Sequence, residues 1–193
     1  METDFQKFQK CLTDKKSKKR DSKLEKMQIA MLQKCLYGIH AKYNGKLVFS
    51  YDDFNTDEKK SSYYPTESGF IMVRYDTTHD YNKVYDNKTF DAIIRVSNCK
   101  TGVINTIAFV MKAVENQGGY QDNTLAELGK YTNNIERCKD ENVFTIFLLD
   151  GTYIKEQAEK FLHKSNKYVI ATSNPNDDCY VKNILERHLD KLL

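Results

Sequence analysis

The sequence predicts an α/β fold, a single domain in which a mixed β-sheet is flanked by helices. Three observations lead there. Val143–Leu149 is an apolar run of strand length broken only by Thr145, the signature of a strand buried on both faces. Segments with apolar residues at helical spacing stand on either side of it. The order along the chain is one helix, several strands, and then helix alternating with strand, which is how a mixed sheet is built. With 193 residues, 40% of them hydrophobic and 30% charged, the chain is long enough for one sizeable core.

The elements follow in order. Ser22, with Glu25 three residues on, has the form of a capping box. Leu24, Met27, Met31, Cys35 and Ile39 then recur at helical spacing, so a helix is expected to end near Gly38 or His40, with its methionines in the core. Residues 45–51 and 69–75 read as strands. Between them, 52–68 reads as a polar loop holding Tyr63, Tyr64 and Pro65, and 76–89 as a second loop with His79, Tyr81 and Tyr85. Phe90–Val96 and Val103–Val114 read as strands around a turn at 97–102. A helix is expected to open at Gln121 or Asp122, with Leu125, Leu128, Tyr131 and Ile135 on its apolar face. After Val143–Leu149 come a helix around Lys155–His163, a short strand at Lys167–Thr172, and an amphipathic helix at Asp178–Leu193 carrying Val181, Ile184, Leu185 and Leu189.

Net charge is +3, too small to announce a nucleic-acid binder, but it is unevenly placed. Residues 1–26 hold nine Lys/Arg against five Asp/Glu, a basic arm that could lie solvated or contact phosphates. The five cysteines (Cys11, Cys35, Cys99, Cys138 and Cys179) include no Cys-x-x-Cys pair, which argues against structural zinc and a disulfide framework and for a reducing, cytoplasmic setting. No apolar run approaches the length of a membrane span, and no signal peptide is visible. His40, His79, His163 and His188 share no spacing that suggests a metal site or a triad.

The chemistry-bearing stretch runs from Thr89 to Tyr131. Asp91 is an acid set at the head of one apolar strand, and the next strand ends in Met111-Lys112-Ala113-Val114-Glu115-Asn116-Gln117, followed at once by Gly118-Gly119. Simple antiparallel counting about Lys100 sets Asp91 opposite roughly residue 110, and a bulge or slip of a few residues would bring it beside 113–115. Glu115 and Gln117, two apart, can share a face. Carboxylates so placed suit a hard divalent cation such as Mg²⁺, which takes oxygen ligands and assists phosphodiester hydrolysis. The plainer reading makes Asp91 a cap or turn acid, Glu115 and Gln117 a polar strand end, and Gln121–Asn123 a helix cap. Asp150, which ends the buried strand, reads as structural.

These residues resemble the PD-(D/E)xK core of type II restriction endonucleases. The likeness covers roughly residues 85–155: Asp91, then about two dozen residues on, Ala113-Val114-Glu115-Asn116-Gln117-Gly118-Gly119, and later an apolar strand ending Asp150-Gly151-Thr152-Tyr153. It departs from the pattern in two ways, since Phe90 rather than proline precedes Asp91 and the acid-x-Lys tripeptide is missing. Three alignments stay open. Ala113 stands at the metal-binding acid and Glu115 at the lysine; or Glu115 is the acid and Gln117 the lysine; or Lys112 is the lysine and Val110 the acid. The resemblance implies a restriction-endonuclease-like domain over 1–193 with its core at about 85–175. It further implies a Mg²⁺-dependent, site-specific cleavage of double-stranded DNA by a homodimer on a palindromic site. Asp91 and Glu115 would be the metal ligands, and Gln117 or Lys112 would orient water or contact phosphate. If Ala113 occupies a ligand position, the chain is instead an inactive form, or a nuclease-fold module that binds nucleic acid or serves assembly. An unrelated α/β interaction protein is the third reading.

Overall fold

The structure, a computed structural model, describes residues 2–13, 20–54, 62–73, 90–115, 121–162 and 165–193. In chain order its elements are α1 (Asp4–Thr13), α2 (Arg20–Lys42), β1 (Leu47–Phe54), β2 (Ser62–Thr66), β3 (Gly69–Val73), β4 (Ala92–Asn98), β5 (Ile104–Ala113), α3 (Gln121–Arg137), β6 (Val143–Asp150), α4 (Thr152–Phe161), β7 (Tyr168–Ala171) and α5 (Val181–Asp190).

Five strands form one sheet in the order β1-β4-β5-β6-β7. β1, β4 and β5 are antiparallel neighbours, while β5, β6 and β7 run parallel. A mixed sheet arises because β4 returns into β5 through a short turn, whereas β5 reaches β6 only by the long crossover that carries α3. The expected α/β architecture with a mixed sheet is therefore present.

Strand alternation divides the core into two layers. Ile107, Phe109 and Met111 of β5, with Ile146 and Leu148 of β6, face Leu32, Leu36 and Ile39 of α2 and Ile184, Leu185 and Leu189 of α5. The intervening Ala108 and Val110, with Phe147 and Leu149, face Leu128, Tyr131 and Ile135 of α3 and Ile154 and Ala158 of α4. β6 is covered on both faces, so its sequence is apolar without alternation. Each Leu, Ile, Val, Phe or Met among these side chains stabilises the fold by about 1.5–3 kcal/mol when fully withdrawn from water. A third, smaller cluster joins Phe8 and Leu12 of α1 to Leu24 of α2, with Met27, Met31 and Ala113 against it.

Four details differ from the sequence expectation. Residues 4–13, expected within a basic arm, form α1. α2 spans Arg20–Lys42, so Ser22 lies inside the helix rather than ahead of it, and the helix runs past Gly38 to end two residues beyond His40. Interior packing of the apolar stripe outweighs the modest cost of one glycine. Residues 62–66, expected in a loop, form β2, which pairs antiparallel with β3 as a separate two-stranded ribbon. Phe70 anchors that ribbon on Phe90, with ring centroids 4.6 Å apart, and Phe90 in turn stacks on Tyr131. Several expectations fall outside the described residues: the 76–89 loop with His79 and its tyrosines, residues 14–19 of the basic run, Gln117 with Gly118 and Gly119, and His163.

Candidate functional site

Asp91 sits one residue before β4. The register pairs Ala92 with Phe109, and the Asp91 amide donates to the Phe109 carbonyl at 2.9 Å, so antiparallel counting holds and Asp91 falls beside Val110. Its carboxylate reaches one residue further: Oδ2 accepts a hydrogen bond from the Met111 amide at 2.6 Å. The head of β4 is thereby tied to the end of β5. Burial pushes the Asp91 carboxyl up to about 6; the Lys112 cation and the Met111 amide work against that rise, and the negative charges of Glu25 and Glu127 add to it.

Lys112 points to the α3 side of β5, where its ammonium lies 3.4 Å from the Glu127 carboxylate. Asp91, Lys112, Glu127 and Glu25 thus form one electrostatic group drawn from β4, β5, α3 and α2. Glu127 was not singled out by the sequence, and Glu25 only as part of a capping box. Their signal is faint, since both are ordinary charged residues on amphipathic helices, and only packing brings them near Asp91.

Glu115 behaves differently. Its Oε2 accepts from the Thr152 amide at 3.1 Å and its Oε1 from the Thr152 hydroxyl at 3.3 Å. The N-cap position of α4 is Gly151, which has no side chain to satisfy the first helical amides, and Glu115 supplies that acceptor from another part of the chain. The approach is close. Gly151 has φ +104°, and a Cβ on it would lie 2.3 Å from the Val114 carbonyl oxygen, so only glycine fits there.

Ala113 faces the α2 side and packs against the Phe8, Leu12 and Leu24 cluster. It brings no oxygen to that position. Among the described residues, no group of three or more His, Cys, Asp or Glu side chains is placed to hold a metal ion. With Asp91 bonded to the β5 backbone, Glu115 committed to Thr152 and alanine at 113, the described donors do not fit a divalent cation as arranged.

Asp150, read from the sequence as structural, is buried and fully engaged. Its Oδ2 accepts from Gln28 Nε2 at 2.7 Å, and its Oδ1 accepts from the Thr172 hydroxyl and the Ser173 amide, both at 2.9 Å. The Gln28 amide also lies 3.3 Å from the Leu148 carbonyl and 3.4 Å from that of Lys112, pinning α2 over the ends of β5 and β6. The sequence did not single out Gln28, a polar residue next to Met27 in the helical stripe. The described histidines are packing groups: His40 lies tilted against Phe49, and His188 stacks on Phe144 with centroids 4.0 Å apart. No helix among the described residues is long and apolar enough to cross a membrane.

No protein-family profile matches the chain, and no curated protein matches it in sequence. Among solved structures, MunI restriction endonuclease in complex with cognate DNA is similar with probability 0.99, at 14% identity over 86% of this chain and 93% of that one. The TM-score of 0.36 marks an overlap too loose to assign a fold family or an activity.

Proposed function

We propose that this chain is a restriction-endonuclease-like protein that acts on double-stranded DNA. One observation carries the reading: Asp91, at the head of β4, is held against the end of β5 by its 2.6 Å bond from the Met111 amide, immediately beside Lys112. That is the neighbourhood the PD-(D/E)xK resemblance assigns to phosphodiester chemistry. The chain's own contributions there are electrostatic. Lys112 offers positive charge to a phosphate's developing negative charge, and Glu127 holds the lysine in place. The finer form of the proposal is a type II, Mg²⁺-dependent, site-specific deoxyribonuclease working as a homodimer on a palindromic site, with Asp91 and Glu115 as metal ligands and Gln117 beside them. The described donors do not by themselves assemble around a cation.

A second reading is favoured by a specific observation. Ala113 is packed against Phe8, Leu12 and Leu24, and Glu115 serves α4, so the end of β5 is used for structure. This describes a nuclease-fold module that binds nucleic acid without cutting it. Nicking of supercoiled plasmid with Mg²⁺, with chelator as control, separates the two. Cleavage lost in Asp91→Ala and in Glu115→Ala supports the enzyme. Duplex binding at low salt without cleavage supports the module. Absence of duplex binding at low salt overturns both and leaves an unrelated α/β interaction protein.

A further inference from the structure

β4 ends at Ala92, opposite Phe109, while β5 runs on to Ala113. Past that pairing the Met111 amide takes its acceptor from a side chain, the Asp91 carboxylate at 2.6 Å. Such a bond lasts only while the backbone ahead of β4 keeps its place, since a shift of about one ångström there breaks it. The residue at that point is Phe90. A proline would restrict φ there through its own ring. Phenylalanine carries no such restriction, so its backbone is fixed by what packs on its side chain.

That packing is specific. Phe90 is 5% exposed, and two elements from different parts of the chain grip its ring. Phe70 of β3 has its ring centroid 4.6 Å away at a tilt of 54°, and Tyr131 of α3 lies at 5.7 Å and 30°. Aromatic pairs at such separations attract beyond the area they bury. The ribbon that carries Phe70 is itself tied down, because the Lys139 amide, just past the end of α3, donates to the Glu67 carbonyl in the ribbon's turn at 2.7 Å. Both jaws of the clamp are thus referred to α3, and Phe90 is held from two sides directly ahead of Asp91.

We propose that Phe90, clamped between Phe70 and Tyr131, is the positioning residue that sets the Asp91 carboxylate on the Met111 amide beside Lys112, and that through it the β2–β3 ribbon is coupled to the candidate site. What Asp91 acts on rests on the DNA-directed reading; the positioning itself does not.

The test follows amide exchange by nuclear magnetic resonance in the full chain. The Met111 amide reports the Asp91 bond, and the Thr106 amide, bonded to the Asn142 carbonyl at the other end of β5, is the reference. Phe70→Leu should speed exchange at Met111 roughly tenfold and leave Thr106 unchanged. Phe70→Tyr keeps the ring and should exchange as wild type does. Phe90→Leu should match Phe70→Leu, and the double variant should be no faster than Phe90→Leu alone, because both act through one path. Should Phe90→Leu fail to fold, Phe70→Leu with Phe70→Tyr carries the test, since the Phe70 ring is only partly buried. Unchanged exchange at Met111 in folded Phe70→Leu overturns the clamp. So does equal acceleration at Met111 and Thr106, which marks a general loss of stability. Selective loss at Met111 in a protein whose wild type neither binds nor cuts duplex DNA keeps the clamp and overturns the DNA-directed reading instead.

Discussion

Glu115 caps a helix that begins 37 residues further along the chain, its two carboxylate oxygens accepting the amide and hydroxyl of Thr152 at 3.1 and 3.3 Å. This pairing fastens the end of β5 to the start of α4, and it decides what Glu115 is free to do. Replacing Glu115 with Ala should cost roughly 1–2 kcal/mol, the usual worth of a helix cap. Urea denaturation of Glu115→Ala, Thr152→Val and the double variant checks it: the double should lose less than the sum of the singles.

Gly151→Ala should be far more disruptive. At φ +104°, with a Cβ placed 2.3 Å from the Val114 carbonyl oxygen, the new methyl forces the end of β5 and the start of α4 apart. A loss of roughly 3 kcal/mol or more is expected from strain and overpacking together. A melting temperature within a degree or two of wild type would contradict the close approach.

Asp150→Ala leaves the Gln28 amide, the Thr172 hydroxyl and the Ser173 amide without their common acceptor in a buried site. The expected cost is about 3 kcal/mol. Gln28→Leu should cost less, since Asp150 keeps two donors. Chemical denaturation of both variants orders them.

Ala113→Glu puts a carboxylate against Phe8, Leu12 and Leu24. Burying that charge without a partner should cost about 1–3 kcal/mol, unless α1 moves away. Restored plasmid cleavage would identify the chain as an inactivated nuclease. A lower melting temperature with faster exchange over residues 4–13 is the outcome expected from the packing.

His188 sets a pH dependence. Burial, with the Lys191 cation adding to it, lowers its pKa to about 4, and its Nε2 is buried without a partner. The unfolded chain, near 6.5, binds the proton first, so the stability tied to neutral His188 is whole above pH 6.5 and is lost as pH falls toward 4. Asp91, raised to about 6, acts with the opposite sign across an overlapping range. The measurement is therefore a difference between wild type and His188→Phe, in which Asp91 cancels. The variant should gain on wild type as pH drops from 7 to 4.5.

Much of the fold was legible because apolar periodicity is a local property. Leu125, Leu128, Tyr131 and Ile135 all lie on the α3 face packed against the sheet, Val181, Ile184, Leu185 and Leu189 are all buried in α5, and Asp91 falls beside Val110 as counting from the turn requires. β2 was missed because Tyr63-Tyr64-Pro65 sits in a polar stretch without alternation, and a two-stranded ribbon held by Phe70 against Phe90 leaves no mark on it.

By itself, then, the sequence determined most of the main elements though not α1 or β2, the pairing of β4 with β5, and the short list of polar side chains at the strand ends. Tertiary structure alone decided what those side chains meet. Gln28 finds Asp150 across 122 residues, Glu115 turns to α4, Lys112 turns to Glu127, and α1 comes to lie on Ala113. The physical reason is that burial and periodicity are carried by neighbours in the chain, whereas a hydrogen bond or an ion pair depends on a few ångströms between elements that only the packed sheet brings together.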